Sequence, residues 1–91
     1  MIEFDPGKDA TNIDQHGISL AAAEELFAGE TIEMVDDRAD YGEARLVAIG
    51  EIHGRVFTCV YTWRGERQRV ISLRPASRKE RDVYRAKTSE A

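Results

Sequence analysis

One cysteine, two prolines and no long apolar run leave this 91-residue chain few options. A lone Cys59 cannot close an internal disulfide. Within Val-Phe-Thr-Cys-Val-Tyr it reads as a small hydrophobe buried in a strand. That fits a reducing compartment, and a cytoplasmic location is expected. No apolar stretch approaches the roughly 18 residues of a membrane helix. The N-terminus has no basic region leading into an apolar one, so no signal peptide is expected. A phosphate-cradling Gly-rich loop, a nucleophile elbow and a dinucleotide fingerprint are all missing. His16 and His53 fall in different elements, and nothing has the spacing of zinc ligands. Asp36, Asp37 and Asp40 lack the alternation and the glycine of a calcium loop. No metal or cofactor is expected.

Charge is plentiful but unevenly placed. Residues 1–43 hold twelve acids and two bases, and residues 44–91 hold five acids and eleven bases, a split of −10 against +6 that sums to −4. Either the halves pair with each other in the fold, or the basic half presents a surface to a polyanion such as RNA. Ninety-one residues with 42% apolar content make one domain with one core.

Punctuation along the chain marks the elements. Met1–Phe4 reads as a short strand. Asp5 caps a helix that starts at Pro6 and stops at Gly17. Ser19 caps a second helix with Leu20, Ala23 and Phe27 as its buried stripe, ended by Gly29. Thr31–Asp36 is a strand, and Asp37–Gly42 a polar loop. Glu43–Ile52 and Arg55–Trp63 are strands joined by a tight hairpin at His53-Gly54. Arg64-Gly-Glu-Arg67 turns into the strand Gln68–Arg74. Ser77 and Glu80 form a capping-box pattern that opens a last helix from about Arg78 to Lys87. The expected fold is α+β, a twisted antiparallel sheet of about four strands. Two N-terminal helices and one C-terminal helix pack on one side of it.

Several residues then stand out. Arg69, Arg74, Arg78, Lys79 and Arg81 gather where a strand end meets a helix start, a candidate phosphate-binding surface. Arg74 could instead pair with Asp36 or Asp37. Arg45, Arg64 and Arg67 project from strands or turns. Lys8, Asn12, Gln15 and His16 share one side of the first helix, either a solvated face or a contact face for RNA or a partner. Tyr84 is either core packing or catalytic. Phe57, Cys59, Tyr61 and Trp63 share one face of their strand, read as core, with base stacking as the alternative.

In combination these features resemble the BrnT toxins of bacterial BrnT/BrnA type II toxin–antitoxin systems. The resemblance lies in Phe4-Asp5-Pro6 with Lys8 and Asn12, then His16-Gly17-Ile18-Ser19, Ala23 and Phe27. It continues through Gly42-Glu43-Ala44-Arg45, Ile49-Gly50 and Val60-Tyr61. The closing Val70-Ile-Ser-Leu-Arg-Pro-Ala-Ser-x-x-Glu-Arg-x-x-Tyr84 is its most specific part. Phe4 stands where the family commonly has Trp, and Gln15 where it commonly has a basic residue.

The resemblance implies a RelE-like ribonuclease fold and RNA cleavage that inhibits translation and arrests growth. It implies a BrnA-type ribbon-helix-helix antitoxin, whose dimer would carry two toxins and hold the operator DNA. The chemistry requires no metal, since the 2′-OH can attack its own phosphorus while donors stabilise the phosphorane, and RelE-like toxins typically rely on Arg or Lys stabilisers with a Tyr, His or Glu for proton transfer. On that basis Arg74 is the expected phosphate clamp, because a guanidinium matches a phosphate bidentately. Tyr84 and His16 are the proton-transfer candidates. A phenol with an ordinary pKa near ~10 needs nearby cations such as Arg74 or Arg81 to act as a base. Lys8, Arg45, Arg64, Arg67, Arg69, Arg78, Lys79 and Arg81 are the expected RNA contacts.

Overall fold

Two tight turns organise the sheet. His53 and Gly54 both have positive φ, 50° and 80°, which matches the twist of a two-residue hairpin. They join β3 (Arg45–Ile52) to β4 (Arg55–Arg64), and a turn with Gly65 at φ 61° leads on to β5 (Arg67–Pro75). The computed structural model describes residues 1–37 and 42–89. Residues 38–41 of the expected polar loop lie outside them.

β2 (Ile32–Asp36) pairs antiparallel with β3, and β1 (Ile2–Glu3) lies along β5. The order is β1-β5-β4-β3-β2. Among the described residues the sheet thus has five strands, and it is mixed rather than purely antiparallel, because β1 runs parallel to β5. Gln68 donates its amide to Met1 O at 3.0 Å, and the Arg69 guanidinium meets the Glu3 carboxylate at 2.7 Å. Backbone and charge together hold the first strand against the last.

The helices do not share one side. α1 (Pro6–His16) and α2 (Ala23–Ala28) precede the main strands, and α3 (Arg78–Thr88) follows them. Leu20, Ala23 and Leu26 pack with Phe57, Cys59, Tyr61, Val70 and Leu73 on one face. Val56, Ile49, Ala76 and Tyr84 form a second cluster under α3. Alternation along β4 sends Val56 and Phe57 to opposite faces. Residues 56–62 of β4 are buried without a break, so both its faces need cover.

Local signals explain the helix ends. Asp5 accepts from the Lys8 amide at 3.0 Å, Pro6 opens α1, and Gly17 closes it at φ 71°. Ser19 caps a 3-10 turn, Leu20–Ala22, which runs into α2. Leu26, rather than Phe27, completes the fully buried stripe, while Phe27 packs edge-on against Tyr61 with centroids 5.0 Å apart.

β5 contains an irregularity. Val60 pairs with Ser72, but Tyr61 pairs with Val70, so Ile71 is an extra residue. This bulge lets Val70 and Leu73, three apart, enter the same core.

Candidate functional site

Cross-strand partners share a face, so the register shows where the arginines go. Thr58 faces Arg74, Thr62 faces Arg69 and Arg64 faces Arg67. Thr58, Thr62 and Arg64 alternate along β4 on the α3 side. Arg45 falls on the same side, because its neighbour Leu46 pairs with Tyr61 of the other face. Arg45, Arg64, Arg67, Arg69 and Arg74 therefore stand on one sheet face, beyond the edge of α3.

Three of them are tied to acids of the N-terminal half. Arg69 pairs with Glu3, while Arg45 and Arg64 approach Glu43 at 3.6 and 3.5 Å. The two charge halves thus meet in part, and the arginine face is built with its own counter-charges. Arg67 is exposed, with no carboxylate partner among the described residues.

Arg74 is held most firmly. Its partner is Glu80, not Asp36 or Asp37. Nη1 and Nη2 donate to the two carboxylate oxygens at 2.8 and 2.9 Å, and Nη1 also reaches Pro75 O at 3.4 Å. Glu80 can reach because the capping box fixes it. Its backbone amide donates to Ser77 Oγ at 3.2 Å, and its Oε1 accepts from the Ser77 amide at 2.8 Å. Thr58, fully buried in the sheet, donates to the same Oε1 at 3.0 Å. The Arg74 guanidinium, with the Ser77 and Thr58 donors, holds the Glu80 carboxyl down at about 2 despite its partial burial. Beside the pair lies a cavity of about 260 Å³ whose walls include Val60, Asp36 and Asp37.

A guanidinium has five N–H donors. Glu80 and Pro75 take three of those on Arg74. Nε–H and one Nη2–H remain, and they point the same way as a second fork. Arg74 can therefore stay paired to Glu80 and still receive an oxyanion bidentately.

The other expected residues are spread out. Tyr84 is 3% exposed beneath α3, with its hydroxyl donating to Glu30 O at 2.9 Å. Burial, reinforced by Glu51 and Glu30, raises its phenol, against only a lowering influence from Arg85. The cationic setting that a basic phenol needs is therefore not met at Tyr84. Arg81 points to the opposite flank of α3, where Nη1 donates to Ala76 O at 2.9 Å. There it lines a groove of about 270 Å³ with Arg55 and Arg85. Lys79 lies on the β2–β3 side of the helix, and Arg78 is exposed in its first turn.

α1 contributes along the open edge of β5. β1 pairs only with residues 68 and 69. Further on, buried Asn12 substitutes for a strand: its amide donates to Leu73 O at 2.8 Å and to Ile18 O at 2.9 Å, and its oxygen accepts from the Leu73 amide at 3.1 Å. Lys8 and Gln15 line a cleft of about 300 Å³ beside it, with Ile71 and Ser72. His16 is exposed one turn beyond Asn12, at the end of α1. Asn12 thus brings α1 against Leu73, the residue before Arg74.

Glu80, Thr58 and Asn12 were not foreseen as parts of this arrangement. The capping-box spacing was the available signal for Glu80, since it sets a carboxylate six residues from Arg74. Trp63, expected in the core, is 51% exposed and stacks edge-on against Tyr61 at 5.9 Å. Among the described residues no group of three His, Cys, Asp or Glu side chains gathers as metal ligands do. No helix among them is long and apolar enough to cross a membrane.

Residues 4–80 match the family of ribonuclease toxins, BrnT, of type II toxin–antitoxin systems. A search of curated proteins returns no match.

Proposed function

Because the chain belongs to the BrnT family of ribonuclease toxins of type II toxin–antitoxin systems, we propose that RNA is bound and cut on the arginine face of the sheet. The observation that carries this reading is the unused fork of Arg74, held in place by Glu80. In it the scissile phosphate is gripped through two oxygens, and charge developing on the phosphorane meets donors already aligned. Arg45, Arg64, Arg67, Arg69, Arg78 and Lys79 attract the flanking backbone, with Lys8 beyond the β5 edge and Arg81 on the far flank of α3. Phosphate competes with the carboxylates for the paired arginines.

The reaction in this reading is attack of the 2′-OH on the adjacent phosphorus, with departure of the 5′-oxygen and no metal ion. His16, an exposed imidazole at the end of α1, is the proton carrier in this reading. Tyr84 keeps a share in the proposal only if binding RNA exposes its hydroxyl. Cleavage of messages stops translation and growth. The partner is a ribbon-helix-helix antitoxin whose dimer carries two toxins and contacts operator DNA.

The test is cleavage of purified RNA by the purified chain in EDTA. The wild type should cut, and Arg74→Ala should not, with unchanged circular dichroism. Loss of wild-type cutting in EDTA would overturn the metal-free step. A folded and fully active Arg74→Ala protein would remove Arg74 from the site. RNA binding without cutting by the wild type would make this face a binding module.

A further inference from the structure

Next to the Arg74–Glu80 cavity, a second groove runs between α3 and the outer strands. Met34, Val47, Ile49, Lys79, Glu80 and Val83 line it, around about 180 Å³. It shares Met34, Val47 and Glu80 with the cavity beside Arg74. Its apolar walls are open to solvent, with Met34 45% and Val83 37% exposed.

The neighbouring strand is equally unprotected. Among the described residues β2 ends the sheet and pairs only with β3, so alternate N–H and C=O groups face outward. Edge strands are usually blunted by lysine or proline. Residues 30–37 contain neither, and Val35 is 67% exposed. The exposed carboxylates of this segment, Glu30, Glu33 and Asp37, outnumber Lys79, the base that lines the groove. Charge therefore selects the occupant. A second copy of this chain would lay one acidic edge against another, which is unfavourable across paired strands. The surface asks for a backbone to complete the edge, apolar side chains for the groove and positive charge for the rim.

We infer that an extended, basic and apolar segment of the antitoxin adds to β2 as a further strand and seats its apolar side chains in this groove. The inference rests on the toxin reading and goes beyond it by placing the partner. A segment lying there abuts Glu80 and narrows the mouth of the cavity beside Arg74. Neutralisation then follows from obstruction of the RNA path, without any rearrangement of the toxin.

The experiment uses the antitoxin, which the toxin reading expects to be a small protein encoded immediately beside this chain. Val83→Lys replaces part of the apolar wall with a charge that repels a basic segment, and leaves the arginine face untouched. Its binding to that protein should weaken at least 100-fold, while its own RNA cleavage matches wild type. In the wild-type complex, amide exchange should slow across Ile32–Asp36. Unchanged affinity of Val83→Lys, or slowed exchange on another element in place of β2, would overturn the inference. So would slowed exchange of β2 in the free chain through self-association, or on RNA alone. A wild type that is neutralised as readily as Val83→Lys defeats only this surface. A wild type that neither cuts RNA nor meets the neighbouring protein defeats the toxin reading as well.

Discussion

Arg74 and Glu80 are joined by two parallel hydrogen bonds of 2.8 and 2.9 Å across the junction of β5 and α3. This fork couples a strand end to a helix start, and its planar geometry is specific to arginine. Arg74→Lys should therefore behave almost like a deletion. An ammonium can meet one Glu80 oxygen but cannot offer a second fork to phosphate. Cleavage should stay close to zero while RNA affinity survives in part and weakens with salt. His16→Ala should lower the rate less than either Arg74 substitution. Cleavage rates and RNA affinities measured side by side over a salt series would decide this, and a near-normal rate for Arg74→Lys would refute it.

Glu80 makes stability depend on acid. Its folded pKa of about 2 lies below the ordinary value of 4.5, so its contribution is complete above pH 4.5 and drains away as pH falls toward 2. Integrated over that window it is on the order of 3 kcal/mol. Urea midpoints should fall between pH 4.5 and 2, and Glu80→Gln should flatten that part of the profile. Ser77→Ala removes the other half of the capping box and should cost roughly 0.5–2 kcal/mol, with cleavage intact at low temperature. Wild-type and Glu80→Gln profiles of equal slope would show that Glu80 is not the responsible group.

Tyr84→Phe separates packing from chemistry. The ring stays in its cluster with Ile49, Val56 and Ala76, and only the bond to Glu30 O is lost. The cost should be about 1 kcal/mol, and the cleavage rate should stay within a factor of a few of wild type. A loss of two orders of magnitude at unchanged melting temperature would give the hydroxyl a chemical role.

Asn12→Ala should be among the most damaging substitutions outside the apolar core. It strands the amide and carbonyl of Leu73 with no partner, at about 1–3 kcal/mol for each buried group. Asn12→Asp should do no better, because a carboxylate cannot donate to Leu73 O or Ile18 O. Thermal melts read both effects. A change below ~1 kcal/mol in Asn12→Ala would mean that water replaces the amide without penalty.

How much of this was legible in the residues differs from element to element. Caps and tight turns were clear, because Asp5, Gly17, His53-Gly54 and Ser77 act within a few residues of themselves. The sidedness of the helices was misread, although the unbroken buried run of β4 carries the cue that both faces need cover. β1 was seen as a strand, but its parallel place beside β5 depends on contacts more than sixty residues away. The bulge at Ile71 disturbs alternation and left no local mark. Charge and spacing singled out the arginines but grouped Arg81 with Arg69 and Arg74, whereas Arg81 lies on the opposite flank of α3. The acid partners Glu3 and Glu43 were not singled out, since pairing follows the register of strands distant in sequence.

The first and last strands of this sheet touch, and that sets an order of events during synthesis. Glu3 and Asn12 leave the ribosome early and must wait for Arg69 and Leu73, their partners in the finished fold. A chain emerging from its N-terminus can form α1 and the β2–β3–β4 meander, but β1 has no strand to join until β5 appears. The Arg74 fork comes later still, once Glu80 has followed β5 out. A growing chain of this toxin therefore carries most of its fold before Arg74 and Glu80 can meet, and their fork closes only after both the strand and the helix start that bear them have emerged.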